Sequence, residues 1–277
     1  VNRWQGHEFT AAAGTRVHAA VLGSASALEV VCVHGLGCSH RYFLPLARCL
    51  APAYRVVVPD LPGFGRTRGG RSPLDIRGLS LALADWLRAT HRRGVPLVAN
   101  SVGCQIVVDL AVHSPDLLGS VVLNGPTMDG NARTWVRQVR RWLADGWRER
   151  PALALVLARD YLDCGPRRLL NTFRAALADP IERKLHHVHV PAVVVRGTKD
   201  PIVTHEWVQE VVRRLPRGRL AEVPGAAHTL NFSAPAELAR IVTTLLENAG
   251  SDGATTPGAV SSRKPPANNA VGKLRRR

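Results

Sequence analysis

Aromatic side chains make up only 5% of the 277 residues, and acids are scarce beside bases, 21 Asp and Glu against 37 Lys and Arg. Few aromatics and no Gly-aromatic RNA-binding pattern argue against a nucleic-acid partner, despite a formal net charge of +16. The excess is Arg-dominated and spread over many segments, so it reads as a solvated basic surface. No apolar run reaches the length needed to cross a bilayer, so no transmembrane segment is expected. The opening residues, Val1 to Glu8, lack the apolar core of a secretory signal. The five cysteines are odd in number and follow no metal-ligand spacing. They read as unpaired thiols of a reducing cytoplasm, and no metal and no organic cofactor is implied.

What is present is a 45% hydrophobic chain able to bury one large core. Short β-like runs alternate with helical periodicity, the pattern of a mostly parallel sheet with helices on both faces. The predicted strands are His18–Leu22, Glu29–Val33, Arg55–Val58, Leu97–Ala99, Ser120–Leu123, Val193–Arg196 and Leu220–Val223. Residues 74–90 carry Leu79, Leu83, Trp86 and Leu87 at helical spacing. Residues 127–188 break the rhythm, being helix-like, Arg-dense and free of β-like runs. The expected organisation is therefore a first core segment at 1–125, a helical cap at 126–189, a second core segment at 190–249 and a disordered basic tail at 250–277. Trp135, Trp142 and Trp147 are expected to pack inside the cap. The tail places Arg263, Lys264, Lys273, Arg275, Arg276 and Arg277 against Asp252 alone. Such a tail suits contact with anionic surfaces, and its composition favours a solvated segment.

The chemistry concentrates where strands end. Ala99-Asn100-Ser101-Val102-Gly103 follows an apolar strand and precedes a helical run. A serine on so tight a turn holds its hydroxyl exposed at a helix N-terminus, and small residues two before and two after let the backbone approach its neighbours. A serine hydroxyl needs a base, normally a histidine held in one tautomer by a carboxylate. Asp200 stands after the strand 193–196, and His228 after the strand 220–223, so Ser101, Asp200 and His228 are the candidate catalytic residues. Upstream, Val31 to Gly37 is a strand ending in a glycine-bearing loop. The backbone N–H groups of Leu36 and Val102 are the candidate oxyanion donors. His34, Gly35 and Asn100 are expected to shape the site, His34 by bracing its loop.

As a set, His34-Gly35-Leu36-Gly37, Asp60-Leu61-Pro62-Gly63-Phe64-Gly65, Asn100-Ser101-Val102-Gly103, Gly197-Thr198-Lys199-Asp200 and Gly225-Ala226-Ala227-His228 resemble the α/β-hydrolase fold superfamily over residues 16–248. The resemblance implies that fold with a cap insertion, and a loop at Asp60 and Gly63 that shapes the strand end without entering the proton relay. Members with an aspartate nucleophile, the haloalkane dehalogenases and epoxide hydrolases, are set aside by Ser101. The expected activity is hydrolysis of a small-molecule carboxylic ester or thioester through an acyl-enzyme. Two alternatives stand beside it. One is a carbon–carbon hydrolase of meta-cleavage diketones, whose members often carry Asn before the serine, as Asn100 here, but Trp where this chain has Thr229. The other is a ligand-binding protein of the same fold that does not turn over. Acyl length, pathway and oligomeric state are not encoded in these motifs.

Overall fold

The structure is a computed structural model that describes residues 3–254. Eight strands form one sheet: β1 (Gly6–Ala12), β2 (Thr15–Leu22), β3 (Glu29–Val33), β4 (Arg55–Pro59), β5 (Val95–Asn100), β6 (Leu118–Asn124), β7 (Ala192–Gly197) and β8 (Gly218–Val223). Their order is β1-β2-β4-β3-β5-β6-β7-β8, and β2 alone runs against its neighbours. The α/β fold class expected from the sequence is therefore the one observed. β4 lies on one side of β3 and β5 on the other, so the connections leave in opposite directions there. The crevice outside the C-terminal ends of β3 and β5 is the place where open α/β sheets bind ligands.

The helices are α1 (Leu44–Leu50), α2 (Ile76–Ala89), α3 (Val102–His113), α4 (Trp135–Gly146), α5 (Pro151–Cys164), α6 (Pro166–Ala178), α7 (His205–Arg214), α8 (Leu230–Ser233) and α9 (Pro235–Ala254). Alternation along the buried strands divides the core. Val31 and Val33 face α2, α3 and α7, while Val30 and Cys32 face α1 and α9. Removing a Leu such as Leu83 or Leu110 from water stabilises the fold by roughly 2 kcal/mol each, and both are wholly buried. α2 starts one residue after Asp75, whose carboxylate accepts the Gly78 N–H at 2.7 Å, a side-chain cap the sequence carries in plain view.

β1 is an addition to the strands read from the sequence. Its burial simply alternates between partial and exposed, and His7, Glu8 and Thr10 dilute its apolar signal. It is set by the two-residue turn Ala13-Gly14, with φ of 51° and 67°, which matches the twist of an antiparallel hairpin. Helices α4 to α6 lie between β6 and β7 in the chain, where the cap was expected. α9 runs on to Ala254, and the rest of the basic tail lies outside the described residues. The three tryptophans meet the expectation placed on them only in part: Trp135 packs edge-on against Phe173 of α6 and Trp142 against Tyr161 of α5, but none of the three is buried. Trp147 is 93% exposed, Trp135 44% and Trp142 46%. The buried residues of α4 are instead the polar Gln138 and Asp145, so this helix turns its polar side inward. No helix among the described residues is long and apolar enough to cross a membrane.

Candidate active site

Ser101 occupies the sharp corner between β5 and α3 with φ 57° and ψ −124°, a left-handed backbone that L-residues avoid at a cost of about 1–3 kcal/mol. Two backbone hydrogen bonds hold the corner: Ser101 N–H donates to Asn124 O and Cys104 N–H to Ser101 O, both at 2.9 Å. Gly103 is required by space. A Cβ there would lie 2.4 Å from Val33 O and 2.8 Å from His34 O, so any side chain would push α3 off β3. Val102 opens α3, and its N–H belongs to the first turn, where no intrahelical acceptor exists.

Asp200 and His228 meet although 28 residues apart. Asp200 Oδ1 accepts the N–H groups of Ile202 at 2.7 Å and Val203 at 3.0 Å, which aims Oδ2 at His228 Nδ1, 2.8 Å away. That contact assigns a proton to Nδ1, so in the neutral imidazole the lone pair is on Nε2. His228 Nε2 is buried and has no hydrogen-bond partner, so Ser101 Oγ does not donate to it in this structure. Serine and histidine nonetheless border two consecutive residues, Asn124 and Gly125. The Ser101 N–H rests on Asn124 O. A Cβ on Gly125 would come within 2.8 Å of the His228 ring. Burial opposes a charge on His228, but the carboxylate of Asp200 and its hydrogen bond outweigh burial, with Asp145 and Glu149 adding to them, and the imidazole is raised to about 9. The site is built to hold an imidazolium.

The loop after β3 covers the serine. A Cβ on Gly35 would sit 3.1 Å from both Ser101 Cβ and Asn100 O, so the chain passes Ser101 with only a hydrogen facing it. Gly35 N–H donates to the Tyr42 hydroxyl at 2.7 Å, and that hydroxyl donates to Asn100 Oδ1 at 3.1 Å. Asn100 Nδ2 donates onward to Asn124 O at 3.2 Å. His34 Nε2 accepts the Leu61 N–H at 3.1 Å, which leaves its Nδ1 to donate to Gly35 O at 3.0 Å. Burial holds His34 below the usual imidazole value, as suits a neutral brace. Leu36 follows in the same turn, half-buried.

Three participants escaped the sequence reading. Tyr42 lies in no motif. Asp145 and Glu149, at the end of α4 and just past it, accept the backbone N–H groups of His228 at 3.2 Å and Thr229 at 2.5 Å. Burial raises the Asp145 carboxyl to about 7, with Glu149 and Asp200 adding and His228 opposing. α5 is tied to the segment after Gly37, where Asp160 accepts from Ser39 Oγ at 2.8 Å and Arg41 Nη1 at 2.5 Å. These contacts draw the helical segment over the site, and Asp200 and His228 are left 4% and 5% exposed. A cleft of about 570 Å³ between Asp129, Glu182 and α7 lies elsewhere, lined by none of the three candidate catalytic residues. Among the described residues, the grouping with metal-ligand geometry is His7, His18 and His40, which packs around Asp60.

The sequence pattern of the alpha/beta hydrolase family matches residues 30–241. A 3-hydroxybutyrate-oligomer hydrolase of Cupriavidus necator is 28% identical over 76% of this chain and 85% of its own length. A Pantoea ananatis protein whose name provisionally assigns it carbamate hydrolysis is 27% identical over 86% of this chain and 95% of its own. The enol-lactonase of Burkholderia xenovorans LB400 superposes with a TM-score of 0.72 at 22% identity, covering 87% of this chain and all of that one.

Proposed function

Because the chain belongs to the alpha/beta hydrolase family, and is a hydrolase of that family, we propose that it cleaves a carboxylic ester or thioester of a small molecule through an acyl-enzyme. The observation that carries the reading is the buried Asp200–His228 pair, whose unpartnered Nε2 shares the edge of Asn124-Gly125 with a serine held at positive φ.

In this reading, substrate brings its carbonyl carbon over Ser101 Oγ. His228 Nε2 takes the serine proton as the C–O bond forms, and the imidazolium is stabilised by Asp200 Oδ2. The carbonyl oxygen gains a full negative charge, received by the N–H groups of Leu36 and Val102. One such donor accounts for about 3 kcal/mol of transition-state stabilisation. His228 then gives its proton to the departing alcohol or thiol, and water repeats the sequence in reverse roles to release the acid. Serine and histidine lack a ground-state hydrogen bond here, and such contacts commonly tighten only once substrate is bound. No metal ion or organic group enters these steps. Five unpaired cysteines fit a reducing cytoplasm.

Asn100 does not favour the carbon–carbon reading, because its side chain is spent on Tyr42 and Asn124. The names of the relatives cover ester and carbamate bonds alike, and Ser101 would serve either. The test is a panel of p-nitrophenyl esters of graded acyl length, acyl thioesters, aryl carbamates and a ring-fission diketone, with Ser101→Ala as control. Turnover of esters or thioesters that vanishes in the variant supports the proposal. Diketone cleavage without ester turnover, or ligand binding with no product, would replace it with one of the two alternatives.

A further inference from the structure

His7, His18 and His40 come from β1, from β2 and from the single turn His40–Phe43, yet their ring nitrogens gather within 4.8 Å of one another. The gathering follows from register. His7 pairs with Ala20 across the β1–β2 ladder, so it is the diagonal neighbour of His18 on the same face. His7 Nδ1 and His18 Nε2 are 2.8 Å apart. His18 and His40 are then fixed from behind by one carboxylate. Asp60 Oδ2 lies 2.8 Å from His18 Nδ1 and 2.9 Å from His40 Nδ1, and Asp60 also accepts the backbone N–H groups of His40 at 2.7 Å and Arg66 at 2.9 Å.

This arrangement settles the tautomers. A carboxylate cannot donate, so both Nδ1 atoms carry hydrogens, and in the neutral, metal-binding form each ring has its lone pair on Nε2. A carboxylate behind the non-ligating nitrogen is the arrangement that orients a metal-binding histidine and strengthens it as a donor. Asp60, His18 and His40 are buried, at 0%, 0% and 5% exposure, while His7 is exposed and leaves an approach from solvent. At metal–nitrogen distances of about 2.1 Å, tetrahedral ligands stand about 3.4 Å apart. The 2.8 Å contact between His7 and His18 must open, and the His40 ring must turn its Nε2 onto the same centre. His7 must also move its hydrogen from Nδ1, where it faces the His18 lone pair, to Nε2. Three neutral imidazoles with no oxygen donor suit a zinc-class transition metal and disfavour magnesium or calcium. Arg66 stands nearby and opposes a cation, while the Asp60 charge offsets it.

We propose that His7, His18 and His40 form a three-histidine site for a zinc-class divalent metal, braced by Asp60, with its fourth position open to solvent. It is separate from the serine site but linked to it on two sides: Leu61, the residue after Asp60, donates its N–H to His34, which holds the loop over Ser101, and Tyr42, in the same turn as His40, hydrogen-bonds Gly35 and Asn100.

The test titrates untagged, chelator-treated full-length protein with Zn²⁺ by calorimetry and with Co²⁺ by visible absorbance. His7→Ala, at an exposed position, and the double variant His186→Ala/His187→Ala, which removes a second histidine pair, run beside it. The expected result is one equivalent bound with a dissociation constant in the micromolar range and a Co²⁺ band of tetrahedral intensity. His7→Ala weakens binding by about 100-fold while its circular dichroism and its labelling by a serine-directed fluorophosphonate stay unchanged. The double variant binds as the parent does. Absence of saturable binding, binding unaltered in His7→Ala, or binding lost in the double variant would each overturn the proposal. In the first case the cluster is only a hydrogen-bonded histidine network.

Discussion

Asp145→Asn should move the His228 imidazole, the proposed base, back toward neutrality. His228 is raised to about 9 against the cost of burial because Asp200, Asp145 and Glu149 all favour its charged form. Asp145 reaches it through the His228 backbone N–H, at 3.2 Å, and an asparagine Oδ1 keeps that hydrogen bond while deleting the charge. Two unit charges at about 4 Å interact by about 4 kcal/mol at an effective dielectric near 20, and Asp145 faces the His228 backbone rather than its ring, which lowers its share. Asp145 itself titrates near 7, and the stronger partner Asp200 remains. The expected fall is therefore about one pKa unit, or about 1.4 kcal/mol. Acylation needs the neutral imidazole, so the rising limb of kcat/KM against pH, measured from 5.5 to 10 on an ester substrate, should shift down by that amount. At pH 7.5 the variant should gain up to about tenfold. The sign for stability is also fixed. The folded carboxyl of Asp145 holds its proton more tightly than the unfolded one between about 4 and 7, so parent stability falls as pH rises through that window, and the variant loses this slope. A limb that stays in place, or moves to higher pH, would refute the electrostatic role given to α4.

Other perturbations probe the scaffold. Tyr42→Phe removes the hydroxyl that accepts the Gly35 N–H and donates to Asn100. It should lower kcat by about tenfold with a smaller change in KM, because the loop carrying Leu36 loses a hydrogen bond worth about 1 kcal/mol and its register over Ser101. An equal change in both constants would point to binding instead. Arg41→Ala leaves Asp160 buried with Ser39 as its partner, since Asp160 Oδ2 already has none. Chemical denaturation should register a loss of about 3 kcal/mol, and an unchanged midpoint would show that the pair is dispensable.

The parts of this protein that repeat a local rule were legible in the residues. Strands β3 to β8 are short apolar runs cut by turn residues, and Ser101, Asp200 and His228 each stand just beyond a strand end, a placement that together with their chain order made them the candidates. β1 was not legible, because half of each side-chain row faces water and its polar residues hide the period. The tryptophans of α4 misled in part for a related reason, since Trp135 and Trp142 touch Phe173 and Tyr161 but stay half exposed. Their helical spacing reads as a core stripe, yet the buried side of that helix is polar, with Asp145 turned to the His228 backbone. Tyr42, Asp145 and the three-histidine cluster depend on contacts between residues far apart in the chain, as between His40 and Asp60, or on β-ladder register, as between His7 and His18. No spacing rule brings those together. Gly103 is the converse case, a residue whose smallness was foreseen from the turn and is explained by the carbonyls of Val33 and His34.

The most direct measurement is intact-mass and peptide-level mass spectrometry after treatment with a fluorophosphonate. One adduct per chain, confined to the peptide bearing Ser101 and abolished in Ser101→Ala and His228→Ala, is the outcome expected of a hydroxyl activated by its neighbours. Labelling that persists in Ser101→Ala, or maps to a different residue, would contradict it.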